Sequence, residues 1–387
     1  MPEQPKGVQV RDGLIGKHGK YLGFDHILYW VGNSKQAASY YETRFGFTPV
    51  AYQGLDTGSR EWCSHVVRQG EVTLVFTSPL RPGNQLHGDF LIQHGDAVRD
   101  VAFRVEDCRQ EYENAISAGA TSVLPPTEEQ DEFGVVVRAT ILSVSHVHHT
   151  FVERRKYTGA FLPGFKPVEQ ADSLITSLPA VGVALLDHIG FNLYESELAS
   201  FAVWYEQTLG FKRFFSIDDT VVHSEFSGLR SIVMSDQDEN VKIPLIEPAA
   251  GRRKSQIEEF LEYNGGEGAQ HMAFRTFDIL QAASALKARG VEFLAVTPRY
   301  YDNLRERLAQ AKIVLHENVD ALASYNIMVD FDDKGYLLQF FTIPVEDRPT
   351  FFIEHIERKD HLGFGANNFK AIFEAIEQEQ GKRGNLD

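Results

Sequence analysis

Apolar and polar positions follow the same template at two places far apart in the chain. Asp25-His26-Ile27 opens a strand-like run that leads through Ala37, Tyr40 and Tyr41 to Arg44-Phe45-Gly46-Phe47. Asp187-His188-Ile189 opens another, which leads through Phe201, Trp204 and Tyr205 to Thr208-Leu209-Gly210-Phe211. Apolar residues recurring at three and four predict helices over residues 34–44, 255–263 and 368–379, the second stopped by Asn264-Gly265-Gly266. Leu74-Val75-Phe76, Val135-Val136-Val137 and the run from Leu337 to Phe341 are rich in β-branched or aromatic residues and predict strands. His271 to Arg275 reads as a strand too. The glycines before it are therefore no phosphate cradle, which needs a following helix N-terminus.

The echoes continue along the chain. Asp100-Val101-Ala102-Phe103-Arg104 returns as His271-Met272-Ala273-Phe274-Arg275, and Glu153-Arg154 returns as Glu357-Arg358. The first two runs each lead into a helical stretch, closed by Ala118-Gly119-Ala120 and by Arg289-Gly290-Val291. Self-similarity at this length marks a duplicated domain and not a solenoid. Each half is expected to run strand, helix, strands, then strand, helix, strands, which is an α+β pattern. The expected boundaries are residues 21–157 for the first half, 158–184 for a linker and 185–387 for the second half. The linker carries Phe161-Leu162-Pro163-Gly164-Phe165-Lys166-Pro167, whose prolines and glycine break regular structure. Residues 1–20 read as an unanchored lead-in.

Duplication allows the halves to be compared position by position. Where the second has His188, His271 and Glu354, the first has His26, Asp100 and Thr150. Two imidazoles and one carboxylate, leaving other positions open, describe the facial triad of non-haem Fe(II) oxygenases. A histidine alone in a strand is most often a core residue. A glutamate among Phe351, Phe352, Ile353 and Ile356 is harder to account for, because a buried carboxylate is costly unless paired or metal-bound. Thr150 supplies no carboxylate, so the first half reads as a spent copy.

Other groupings are weaker. His146 and His148 would share a strand face with Thr150; a second metal there lacks a carboxylate partner, and surface or interface histidines, with His149, are the plainer reading. Asp236-Gln237-Asp238-Glu239 lacks the glycine and final glutamate of a calcium loop and reads as a solvated turn. Arg252-Arg253-Lys254 reads as a solvated loop.

Composition narrows the function classes. A chain of 387 residues holds about two domains of ordinary size, and 43% hydrophobic residues suffice for real cores. A net charge of −16 argues against nucleic acid and offers no bulk attraction for an anionic substrate, so a carboxylate substrate would need a local cation. Cys63 and Cys108 are too few for a disulfide framework, read as packing residues and suit a reducing compartment. No apolar run reaches the roughly 20 residues of a membrane helix, and residues 1–21 show no apolar core of a secretory signal. A cytoplasmic protein without membrane partners is expected.

Several longer motifs are more specific: Val31-Gly32-Asn33-Ser34-Lys35-Gln36-Ala37-Ala38, Phe161-Leu162-Pro163-Gly164, Lys254-Ser255-Gln256-Ile257, Gly335-Tyr336-Leu337-Leu338-Gln339, Asp347-Arg348-Pro349-Thr350 and Gly363-Phe364-Gly365 before Asn368-Phe369. Through them the chain resembles the 4-hydroxyphenylpyruvate dioxygenase family of the vicinal-oxygen-chelate superfamily over nearly its whole length. The resemblance implies duplicated βαβββ modules in two open barrel-like halves, with Fe(2+) held in the C-terminal one by His188, His271 and Glu354. It implies a small 2-oxo acid substrate, 4-hydroxyphenylpyruvate, consumed with dioxygen to give homogentisate and CO2 in tyrosine and phenylalanine catabolism. It also implies a homodimer or homotetramer. It assigns Ser231, Gln256, Gln270 and Gln339 to contacts with the substrate and Phe341, Phe364 and Phe369 to the walls around its ring. Without the family, Phe341 reads equally as a core residue and Gln256 as a solvated one, whereas Gln339 interrupts an apolar run where a buried amide needs a partner.

One pocket position departs from the family. Pro-Ile-Asn-Glu-Pro is usual where this chain has Pro244-Leu245-Ile246-Glu247-Pro248. The sister enzyme, 4-hydroxymandelate synthase, typically carries an aliphatic residue there and hydroxylates the benzylic carbon of the same substrate. Val-Gly-Asn after the second Asp-His-Ile is likewise changed, to Gly190-Phe191-Asn192. The sister activity, or a catalytically silent binding paralogue, therefore stands beside the dioxygenase as an alternative.

Overall fold

The computed structural model describes residues 19–169, 172–223, 228–249 and 251–385. The expected lead-in lies outside these except for Gly19 and Lys20. The first half comprises β1 (Tyr21–Trp30), α1 (Ser34–Phe45), β2 (Thr48–Gln53), β3 (Trp62–Gln69), β4 (Val72–Pro79), α2 (Gln85–His94), β5 (Ala97–Val105), α3 (Cys108–Ser117), β6 (Ser122–Asp131), β7 (Gly134–Leu142) and β8 (His148–Arg155). The expected linker carries β9 (Lys166–Pro167) and α4 (Ser173–Ser177). The second half comprises β10 (Val183–Asn192), α5 (Leu198–Leu209), β11 (Lys212–His223), β12 (Gly228–Ser235), β13 (Lys242–Ala249), α6 (Gln256–Tyr263), β14 (Gly268–Thr276) and α7 (Ile279–Ala288). It continues with α8 (Pro298–Ala311), α9 (Val319–Ser324), β15 (Met328–Phe331), β16 (Tyr336–Phe341), β17 (Phe352–Lys359) and α10 (Phe369–Arg383).

The strand order is β6-β7-β8-β5-β1-β4-β3-β2-β9 in one sheet and β11-β12-β13-β10-β14-β17-β16-β15 in the other. In the first sheet β1 and β5 pair antiparallel, while β1 runs parallel to β4 and β5 to β8. The second repeats this with β10 against β14, β10 parallel to β13, and β14 parallel to β17. Each half is thus two βαβββ modules joined through their first strands, an α+β architecture of two curled, open barrel-like sheets. The strand order expected from the echoes is the order observed, with helices α2, α8 and α9 added to it.

Alternation along the strands sorts residues between two environments. On β1, Ile27 and Tyr29 enter the main apolar core, and His26, Leu28 and Trp30 line the opposite, concave side. On β10, Ile189 and Phe191 join the same core while His188 lines a cavity on the other face. Helices α1, α3, α5 and α7 supply Tyr41, Cys108, Tyr205 and Leu286 to that core, so they cover the outer faces of the sheets and the two halves meet there. Tyr29 touches Phe351 edge-on at 5.7 Å across this junction. The His149 ring joins it too: Nδ1 donates to the Val101 carbonyl (3.2 Å), leaving Nε2 to accept from the Tyr205 hydroxyl (2.9 Å).

The duplication extends to helix ends. Asp107 caps α3 by accepting from the Gln110 amide, and Asp278 caps α7 by accepting from the Gln281 amide. Glu153 accepts from the Cys108 amide at 3.1 Å, and Glu357 from the Ile279 amide at 2.9 Å. Each such cap contributes about 1 kcal/mol. The Glu-Arg echo in the sequence is therefore half a capping device.

Some expectations need correction. His146 lies in the turn before β8, not on its face, and its ring stacks on His94 at 3.7 Å. Asp236 is buried: its carboxylate turns inward to accept from the Asp238 and Val241 amides, so the acidic stretch is a self-capped turn. Asp187-His188 sits mid-strand, since β10 starts at Val183. Lys166–Pro167 of the linker adds to the edge of the first sheet by pairing with β2.

Candidate metal centre

Register alone brings the three expected ligands together. Ala273 on β14 lies opposite His188 on β10 and, on its other side, opposite Glu354 on β17. His271 stands two residues earlier on the same strand, hence on the same face. The methyl group of Ala273 leaves the space above it to its larger neighbours. One nitrogen from each histidine and one Glu354 oxygen lie within 4.8 Å of one another, and all three side chains are buried. The His188 Nε2 to Glu354 Oε2 distance is 3.3 Å, and the two imidazoles stand at 86° with centroids 5.5 Å apart. Two nitrogens and one carboxylate oxygen converging on one point form a donor set that fits a divalent transition metal.

The neighbours of the triad set its protonation. Arg358 grips Asp187 with two 2.8 Å hydrogen bonds, and Asp187 accepts from His188 Nδ1 at 2.9 Å. Burial alone would raise the Asp187 pKa, but Arg358 and His188 hold it far below the usual carboxylate range. An ionised Asp187 fixes the proton on Nδ1 and turns the lone pair of Nε2 toward Glu354, the arrangement that metal-binding histidines usually require. Burial opposes charge on His188, yet Glu354 and Asp187 outweigh it and raise its pKa. His271 is pushed down to about 3 by burial and by His188, so it is neutral and able to ligate at pH 7. Phe352 stacks on its ring at 5.2 Å and 12°.

The other expected site residues gather around the same cavity. Ser231, Ile246, Gln256, Gln270, Gln339, Phe341, Phe364 and Phe369 line it together with the triad. The space left is narrow, about 80 Å³, because α10 closes one side with Phe369, Ile372 and Phe373. Gln339 is 1% exposed, and its Oε1 has no hydrogen-bond partner among the described residues. Gly365, at φ 76°, lets the backbone approach that amide; a β-carbon there would fall 2.7 Å from Nε2. Gln270 Oε1 lies 3.4 Å from His271 Nδ1. Phe364 meets the His188 ring edge-on at 5.1 Å. Sequence reasoning missed Asp187, Arg358, Phe352 and Gly190. The duplicated Asp-His and Glu-Arg pairs carried a signal for the first two.

The first half keeps the support and lacks the ligands. Arg154 holds Asp25 with bonds of 2.8 and 2.7 Å, Asp25 accepts from His26 Nδ1 at 2.8 Å, and Phe161 meets the His26 ring edge-on at 5.0 Å. Asp100 stands where His271 stands, and Thr150 where Glu354 stands, by the same register. Thr150 donates to Asp100 Oδ2 at 2.6 Å. Among the described residues the triad of the second half is the one grouping of three such side chains close enough to share an ion. Cys63 and Cys108 are free thiols, and burial, ahead of neighbouring acids, pushes Cys108 up to about 12.

Comparison with known proteins gives concordant matches. Residues 18–154 match the family model described as "Hydroxyphenylpyruvate dioxygenase, HPPD, N-terminal", and residues 185–340 that of the "Glyoxalase/Bleomycin resistance protein/Dioxygenase superfamily". The chain is 50% identical to 4-hydroxyphenylpyruvate dioxygenase of Danio rerio over 371 residues, 96% of this chain and 94% of that one. It is 48% identical to the enzyme of the same name from Dictyostelium discoideum, covering 94% of this chain and 100% of that one. Among solved structures, a mutant of 4-hydroxymandelate synthase from Streptomyces coelicolor superposes with a TM-score of 0.80 at 31% identity, covering 92% of this chain and 98% of that one.

Proposed function

The chain belongs to the 4-hydroxyphenylpyruvate dioxygenase family, and from that premise we propose that it converts 4-hydroxyphenylpyruvate and dioxygen to homogentisate and CO2. The observation that carries this reading is the convergence of His188, His271 and Glu354 on one buried point inside a pocket walled by Phe341, Phe364 and Phe369. We assign Fe(2+) to that point, where it would supply the activation of dioxygen for decarboxylation and ring hydroxylation.

The protein's own residues supply the rest. Asp187 and Arg358 keep His188 in the tautomer that offers Nε2. Gln339, whose Oε1 is otherwise unsatisfied, orients a polar group of the substrate; Gln256, Gln270 and Ser231 line the same wall. The phenylalanines hold the ring and, with α10, keep water from the reacting carbons. A pocket this narrow requires α10 or the side chains it carries to shift when substrate enters.

Free cysteines suit a reducing compartment such as the cytoplasm, and no described helix is long and apolar enough to cross a membrane. Assembly as a homodimer or homotetramer rests on the family and is read by sedimentation. The activity is tested by aerobic incubation with Fe(II) and 4-hydroxyphenylpyruvate followed by chromatography. Homogentisate as main product supports the reading; 4-hydroxymandelate alone would transfer the chain to the sister activity, and binding without oxygen uptake would make it a silent paralogue.

A further inference from the structure

The larger cavity lies in the half without ligands. The concave face of the first sheet encloses about 640 Å³, within the range of small-molecule sites. Leu28 stands opposite Asp100 where the second half has Gly190 opposite His271, so this space is shaped for something other than a copy of the metal centre. Its walls carry three kinds of chemistry. Trp30 and Trp62 stack at 5.4 Å and 22°, offering a flat aromatic surface. Arg99 and Arg138 bring guanidinium groups to the cavity, Arg99 lying 4.6 Å over Trp30, and the Nε of each lacks a hydrogen-bond partner among the described residues. Beside them, with Thr140 two residues from Arg138 on β7, the Thr140 hydroxyl meets that of Thr150 at 2.8 Å, Thr150 donates to Asp100 Oδ2, and Asp100 Oδ1 is left without a partner.

A buried carboxylate oxygen without a donor costs free energy, and a ligand that donates to it recovers that cost. Guanidinium groups over an aromatic wall suit a carboxylate attached to a flat ring. We propose that the first half-barrel is a second binding site, which takes a small aromatic carboxylic acid bearing a hydrogen-bond donor. Its ring lies against Trp62, its carboxylate on Arg138 and Arg99, and its donor on Asp100. Glu129 already pairs with Arg138, so the incoming carboxylate shares that guanidinium with it. The donor has two sources: the phenol of a hydroxyphenyl acid or the ammonium of an aromatic amino acid.

Calorimetric titration of the full-length, metal-free chain separates them. One arm uses 3-(4-hydroxyphenyl)propionate, a phenolic acid without the keto group, and the other uses L-phenylalanine. The site predicts saturable binding of at least one of the two, weakened about tenfold or more by Arg138→Met and by Thr140→Trp, which fills the cavity. A tenfold loss corresponds to about 1.4 kcal/mol. Circular dichroism verifies the fold of each variant, and if Thr140→Trp does not fold, Arg138→Met alone decides. The proposal is overturned if neither compound binds up to millimolar concentration, or if binding survives Arg138→Met, whether or not Gln339→Leu abolishes it.

Discussion

Gly190 and His271 face each other across the β10–β14 pair, and the imidazole of His271 occupies the space that a β-carbon at residue 190 would need. Such an atom would lie 2.6 Å from Nε2 and 2.8 Å from Nδ1, closer than real contacts allow. In the first half the corresponding pair is Leu28 and Asp100. In this chain the residue across the strand sets how much room the His271 ring has. Gly190→Ala is therefore expected to leave the fold intact and lower bound iron well below one per chain, as read by metal analysis. A variant with full metal content would show that the ring has room to move.

Asp187 and Asp25 have equivalent partners, an arginine and a histidine, but only the histidine beside Asp187 belongs to the converging triad. Asp187→Asn is expected to weaken metal affinity about 10–100-fold, the usual effect of losing the partner of a ligating histidine. Asp25→Asn should lower stability, because Arg154 loses its buried acceptor, without changing metal affinity. Equal effects of the two substitutions on metal binding would contradict the division between the halves.

Gln339→Leu keeps similar volume and removes an amide whose oxygen is unsatisfied in the protein itself. Stability should hold or rise slightly, iron content should stay, and kcat/KM should fall about tenfold or more. Unfolding of the variant, or unaltered kinetics, would return Gln339 to a packing role.

Ile246 lines the pocket without offering a polar contact to the ring. The choice between ring and benzylic carbon rests on a difference of barriers, and about 1.4 kcal/mol shifts it tenfold. One absent hydrogen bond, worth about 0.5–1.5 kcal/mol net, blurs that choice without reversing it. Product chromatography should find homogentisate with a detectable minority of 4-hydroxymandelate, and a smaller minority after Ile246→Asn. An unchanged ratio in the variant would remove residue 246 from the account.

Much of this was legible in the sequence because duplication supplied an internal reference. The Asp-His-Ile, Phe-Arg and Glu-Arg echoes located the strands that carry His188, His271 and Glu354, and the aligned differences picked out the three side chains that converge. Helices α8 and α9 were not foreseen: they are inserted between α7 and β15 and have no counterpart in the first half to reveal them. The role of Gly190 was hidden for a different reason. Its sequence neighbours say nothing about His271, which lies opposite only after the strands pair. The cavity of the first half is likewise a property of curvature, built from residues on eight strands and the segment after β8.

Acid should destabilise the metal-free protein early. Burial, ahead of any other cause, holds His146, His149 and His355 down to about 3 and His148 to about 4, against about 6.5 in the unfolded chain. Between these values the unfolded state takes up protons that the native state refuses, so stability falls as pH drops from about 6.5 toward 4. His271, held down to about 3, adds to these four, while Glu346, raised to about 8 by burial and nearby acids, and His188, raised by Glu354 and Asp187, work in the opposite direction. Thermal unfolding should give a lower Tm at pH 5 than at pH 7; a flat or rising profile over that interval would contradict the buried, neutral state of these rings.

The central claim is that one ferrous ion, held by His188, His271 and Glu354, makes this chain an oxygenase of 4-hydroxyphenylpyruvate. Anaerobic titration with Fe(II), followed by substrate and a measured pulse of oxygen, tests it most directly. The expected result is one iron per chain, oxygen consumed in step with product, and loss of both tight iron binding and most turnover in Glu354→Gln, which keeps the fold but offers a neutral amide. Two irons per chain, or full turnover in Glu354→Gln, would contradict it.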